Sequence, residues 1–123
     1  EKGWHINRFD PVSQTFGVLD SWENHLQPED IPKVVEEMEK EFSNRPPLKE
    51  EDFPDERKLL DMFGEELAVL GGGGIGIPYT PGWLQATLLY PEAVGRYLDL
   101  QVGNTLESIK IQAKMGIKVI NIS

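Results

Sequence analysis

The chain has 123 residues, 39% of them hydrophobic and 27% charged, which bounds it to one globular domain rather than a disordered segment. The formal net charge is −9, and no basic stripe offers a footprint for nucleic acid. Without cysteine the chain can form neither disulfides nor thiolate metal sites, and no apolar run approaches membrane-spanning length.

The first elements read as extended. Trp4–Phe9 and Gln14–Leu19 flank Asp10-Pro11, and an Asx-Pro pair sets up a turn, so a β-hairpin is expected. Pro28, Glu29 and Asp30 then suit the free N–H groups of a helix start. Ile31, Val34, Val35, Met38 and Phe42 recur at helical spacing, with Glu36, Glu37, Glu39 and Glu41 on a solvated face. Residues 44–54 read as a linker containing Pro46-Pro47 and Pro54. Asp55 is expected to cap a short helix, Glu56–Phe63, that Gly64 ends.

Leu67-Ala-Val-Leu70 has the uninterrupted apolar character of a buried parallel strand, and it empties into Gly71–Gly74. Gly82–Tyr90 reads as a short helix. Pro91 opens a longer one, with Val94, Leu98, Val102, Ile109 and Ala113 on one stripe and Gly116 at its end. Ile117–Ile122 is a second buried-type strand. Strand, glycine loop, helices and strand form a βαβ unit, which implies a parallel pair.

Gly71, Gly73 and Gly76 satisfy the spacing of a dinucleotide-binding loop, but not its context. Pro78 and Pro81 stand where a helix should begin, and no acid ends the following strand. A Walker A loop is excluded because no Gly-Lys-Ser/Thr follows. Two readings remain: a strand-end loop of a (β/α) barrel, or glycines that only permit a tight packing turn. Asn121 and Ser123 share one strand face at a strand end, a position suited to lining a site. Tyr79 can stack on a flat ligand or fill a core gap. His5 and His25 have no partner at metal spacing.

Gly76-Ile-Pro78-Tyr79-Thr80, Leu88-Leu-Tyr90-Pro91-Glu92 and Ala113-Lys-Met-Gly116-Ile-Lys-Val-Ile120 together resemble the uroporphyrinogen decarboxylase-like superfamily. The resemblance is strongest over residues 65–123. Upstream, Gly3-Trp4 and His25-Leu-Gln-Pro28-Glu-Asp-Ile31 are also similar. The resemblance implies an α/β fold: part of a TIM (β/α)8 barrel over residues 55–123, preceded by a hairpin, helix and linker over 1–54. It implies that the chain is an internal piece of a cytoplasmic enzyme.

The activity implied is decarboxylation of a tetrapyrrole, as in porphyrin biosynthesis, without a cofactor. An alternative within the superfamily is corrinoid-dependent methyl transfer, where a zinc site uses cysteines that this sequence lacks. An ungapped match places Leu84 where the decarboxylases carry an active-site tyrosine. Gly73, Gly74, Tyr79, Thr80, Asn121 and Ser123 become the expected substrate-binding residues. A partial barrel would expose strand edges, which predicts self-association. A non-catalytic α/β interaction module is the alternative outside the family, motivated by the absence of any His–acid or Lys–acid constellation.

Overall fold

A computed structural model describes residues 3–123. Its elements are β1 (His5–Asp10), β2 (Thr15–Ser21), α1 (Ile31–Asn44), α2 (Pro54–Phe63), β3 (Leu70–Gly73), α3 (Pro81–Leu89), α4 (Pro91–Met115) and β4 (Val119–Ile122). Short 3-10 turns cover Trp22–His25, Pro28–Asp30 and Glu50–Asp52. The chain divides into two compact units. One holds the residues up to Glu36 together with Ile77–Val94; the other holds Glu37–Gly76 and Gly95–Ser123.

The first unit contains the hairpin. β1 and β2 pair antiparallel, with Phe9 opposite Phe16 and a register shift between Ile6 and Asn7. The Asp10 carboxylate closes the turn by accepting the Val12 N–H (2.9 Å) and the Ser13 hydroxyl (2.8 Å). The Ser13 and Val12 bonds hold Asp10 below the usual carboxylate range. The core of this unit lies elsewhere. Ile31, Val34 and Val35 of α1, Trp83 and Ala86 of α3, and Ala93 and Val94 are all buried. α3 packs on the Pro28–Asp30 turn, and Gly82 comes so close to the Leu26 carbonyl that a Cβ there would collide with backbone.

The second unit contains β3 and β4, which pair parallel with Leu70 opposite Val119 and Gly73 opposite Ile122. α4 ends at Gly116, whose φ of +106° is open to glycine without strain. The N–H of Gly116 donates to Ala113 O and that of Ile117 to Gln112 O, both at 3.1 Å. That pair of bonds is a Schellman motif, and it turns the chain from the helix into β4.

The expected partial TIM barrel is not formed. The described residues make four helices and two separate sheets of two strands each. Closing a barrel needs about eight strands in one continuous sheet. Here the hairpin and the parallel pair do not join. The βαβ order and the parallel pairing do occur, but β3 starts at Leu70, the residue where the expected strand ended. Nor is the pair buried on both faces: Leu67, Leu70, Val119 and Ile122 are all about half exposed or more. Phe53, not Asp55, occupies the N-cap of α2, and Gly64 follows in right-handed geometry with φ −61°.

Gly82→Ala should lower the unfolding free energy by about 1–3 kcal/mol, because the Leu26 carbonyl is backbone and cannot rotate away. Gly76→Ala, with no neighbour near the added Cβ, should be neutral or slightly stabilising. Urea unfolding midpoints check both.

Candidate functional site

The glycines of β3 are explained first by packing. A Cβ on Gly71 would collide with the side-chain amide of Gln112, and one on Gly73 would lie 2.7 Å from Thr105 Cγ2. Both partners belong to α4, so this helix lies against the strand at a distance that only glycine permits. Gln112 is 1% exposed and grips the strand directly. Its Oε1 accepts the Gly72 N–H (3.1 Å), and its Nε2 donates to the Gly72 carbonyl (2.9 Å) and to the Ser108 hydroxyl (2.8 Å).

The direction of those bonds has a structural meaning. Gly73 O accepts from Ser123 N–H (3.1 Å), so Gly73 faces β4 with its backbone groups. By the two-residue alternation of a strand, Gly72 turns its own groups to the opposite edge. The Gln112 amide therefore stands where the backbone of a third strand would. It closes the outer edge of β3 at Gly72.

At the carboxyl ends of the two strands, the pairing continues one step further. Ile75 N–H donates to Ser123 O (2.9 Å), and the Thr105 hydroxyl donates to Gly74 O (2.8 Å). Gly73, Gly74, Asn121 and Ser123 are thus brought together at the strand ends. Asn121 and Ser123 are exposed and keep the shared face that alternation assigns them.

Tyr79 and Thr80 belong to the first unit. Tyr79 is 91% exposed, so it fills no core gap. Thr80 caps α3 by position, but its Oγ1 makes no capping bond and is buried without a hydrogen-bond partner.

A groove of about 560 Å3 opens beside Gly74 within the second unit. Its size lies in the range of small-molecule sites. Met38, Phe42 and Leu100 supply apolar lining; Glu41, Arg45, Tyr97, Gln101 and Asn104 supply polar lining. Arg45 lies over the Phe42 ring, 4.2 Å from its centroid, and donates to Asn104 Oδ1 (3.1 Å) and Glu107 Oε2 (2.7 Å). The other oxygen of Glu107 accepts the Leu48 N–H at 2.7 Å. The Leu48 bond, followed by the Arg45 guanidinium, holds Glu107 below the ordinary glutamate range. A bidentate pair from Arg96 to Glu39, both bonds 2.8 Å, lowers Glu39 in the same way.

Among the described residues, no group of three or more His, Cys, Asp or Glu is arranged to hold a metal ion. His25 instead pairs with Asp20 (2.8 Å) and lies beside the Trp4 ring. No described helix is long and apolar enough to cross a membrane. The strand-end cluster carries no ionisable side chain, so it can position and hydrogen-bond a ligand but moves no proton of its own.

Sequence reasoning missed Thr105, Gln112, Arg45 and Glu107. The expected apolar stripe of α4 included Val102 and Ala113, which are exposed, whereas Thr105 and Gln112 are buried. The available signal was the glycine run itself: glycines in a strand imply a close neighbour. Comparison with protein families, curated proteins and solved structures finds no match. The family resemblance therefore rests on its short motifs alone.

Gln112→Leu preserves volume and removes the three Gln112 bonds, so stability should fall by roughly 1–3 kcal/mol, with faster amide exchange at Gly72 in NMR. A second prediction concerns acid. Because Glu107 is depressed in the folded state, its contribution is fully present above its unfolded value of about 4.3 and is lost as pH falls through the lower folded value. Glu107→Gln should consequently show a shallower loss of stability below about pH 4.3 in urea titrations.

Proposed function

We propose that the chain serves a uroporphyrinogen decarboxylase-like enzyme that binds a tetrapyrrole and uses no cofactor. The barrel implied by the resemblance forms no part of this proposal. The observation that supports it is the meeting of Gly73, Gly74, Asn121 and Ser123 at the carboxyl ends of a parallel pair. Ligands of α/β folds bind at that end of the strands. In this reading a flat macrocycle approaches the strand ends beside Gly74. The Asn121 amide and Ser123 hydroxyl donate hydrogen bonds to its carboxylates. Catalytic side chains are not assigned. A cytoplasmic location accompanies the proposal, in keeping with a chain that has no cysteine. Self-association through a strand edge would fall to β4, since Gln112 occupies the β3 edge at Gly72.

One observation favours a second reading, corrinoid-linked methyl transfer. The strand-end donors are neutral and the chain carries a formal −9, which suits a periphery of amides better than one of many carboxylates.

Titration with uroporphyrin and, separately, with hydroxocobalamin tests both readings through tryptophan fluorescence. The decarboxylase reading expects saturable uroporphyrin binding that weakens about five- to tenfold in Asn121→Ala, the loss of roughly one hydrogen bond. Binding of hydroxocobalamin alone would move the assignment to methyl transfer. Binding of neither would overturn both.

A further inference from the structure

We propose that the groove between α1 and α4 binds a free amino acid with a large apolar side chain, holding its ammonium and carboxylate groups separately. The inference does not depend on the tetrapyrrole reading, which places its ligand at Asn121 and Ser123 on the strand ends.

The groove is built by helix spacing. Met38, Glu41, Phe42 and Arg45 recur at i, i+3, i+4 and i+7 on α1. Tyr97, Leu100, Gln101 and Asn104 repeat that spacing on α4. Each set is one helix face, and the two faces enclose about 560 Å3. Hydrogen-bonded ion pairs fasten the helices together, Arg96 to Glu39 and Arg45 to Glu107. The Gln101 side chain is fixed as well: it accepts the Gly76 N–H at 2.6 Å and donates to the Tyr97 hydroxyl. Walls held in this way are set before a ligand arrives, which lowers the cost of binding.

Polar groups along the groove keep unmet capacity of both signs. The exposed Glu41 carboxylate accepts no hydrogen bond and makes no ion pair among the described residues. Three donors face the same space. Asn104 Oδ1 accepts from Arg45, while its Nδ2 has no partner among the described residues. Arg45 donates to Asn104 and Glu107 through Nη2 alone, which leaves Nε and Nη1. The third donor is the Gly74 N–H. Gly73 O and Ile75 N–H both bond to Ser123, so alternation directs the Gly74 groups to the opposite edge, from which α4 reaches them. There the Gly74 carbonyl meets the Thr105 hydroxyl, and the N–H has no acceptor among the described residues.

The ligand class follows by elimination. Arg45 and Glu107 offset each other, so Glu41 leaves the groove with an unbalanced negative charge. A fatty acid or other simple anion would set its own charge against that carboxylate. A simple amine would leave the Gly74 and Asn104 donors desolvated without partners, which weakens binding. A zwitterion meets both signs. Glu41 and Arg45 lie one turn apart on one helix face, with Cβ atoms about 5–6 Å apart, a spacing suited to neighbouring ammonium and carboxylate groups. Met38, Phe42 and Leu100 then take the apolar side chain. An amino acid carries no net charge, so the −9 of the chain does not oppose its entry.

Titration of the full chain with L-phenylalanine, followed by amide NMR, tests the proposal. Saturable shifts should appear at the Gly74 N–H and the Asn104 side-chain amide, with a Kd on the order of 1 mM. N-acetyl-L-phenylalanine, phenethylamine and L-alanine lack the ammonium, the carboxylate and the large side chain in turn, and each should bind at least about fivefold more weakly. Glu41→Gln should weaken L-phenylalanine about five- to tenfold without weakening N-acetyl-L-phenylalanine. Glu41 is exposed, so far-UV circular dichroism of that variant should match the parent chain. No saturable shift up to about 50 mM overturns the proposal. So does binding of the acetylated or decarboxylated probe as tightly as L-phenylalanine, an unchanged Kd in Glu41→Gln, or shifts at Asn121 and Ser123 in place of Asn104. The tetrapyrrole reading is decided separately, by uroporphyrin and Asn121→Ala, so either reading can fail alone.

Discussion

The second unit depends on one contact: the side-chain amide of Gln112 laid along Gly72, with Gly71 and Gly73 bare on either side. A glycine in a strand interior weakens it by roughly 0.5–1 kcal/mol relative to alanine, so a run of them needs a reason. Here the reason is the approach of α4. Thr105 and Gln112 are seven residues apart, two turns of helix, and so they share a face. Gln112 holds the strand and Thr105 holds the loop that leaves it, through the Gly74 carbonyl. The Schellman turn at Gly116 then returns the chain along the same strand as β4. Two polar side chains and one helix end thereby fix the register that brings the strand ends together.

That arrangement also accounts for what was and was not legible in the sequence. The hairpin announces itself through Asp10-Pro11, and α1 through Ile31, Val34 and Val35, because turn chemistry and apolar periodicity are local. The two strands and the helices between them follow from punctuation by Pro81, Pro91 and Gly116. The position of β3 does not. Leu67–Leu70 has the composition of a strand and Gly71–Gly74 that of a loop, yet the strand is Leu70–Gly73. Tertiary packing overrides composition at that point, since the helix needs an absent Cβ more than the strand needs a side chain. Gln112 was invisible for the matching reason: a buried glutamine breaks the apolar stripe that marks a helix face. The barrel expectation came from one reading of the glycine loop and from the family resemblance, and a two-stranded pair with one edge occupied by a side chain does not provide it.

For the site, the glycines hold two consequences at once. Those at 71 and 73 serve packing, while Gly74 stands at the strand exit with Ser123 across from it and a groove beside it. The residues gathered there are backbone groups, an amide and a hydroxyl. They suit recognition of a ligand more than the making and breaking of its bonds. Tyr79 and Thr80, adjacent in sequence to this loop, belong to the other compact unit. Tyr79 is 91% exposed, whereas Thr80 presents a buried hydroxyl without a hydrogen-bond partner.

The central claim is that a side-chain amide completes the edge of β3, and its hydrogen bond can be observed directly. A scalar coupling across the bond, between the Gly72 amide nitrogen and the Gln112 side-chain carbonyl carbon, is the measurement. The account predicts a resolved coupling and slow exchange of the Gly72 proton. No coupling, with Gly72 exchanging as fast as an unstructured glycine, would contradict it.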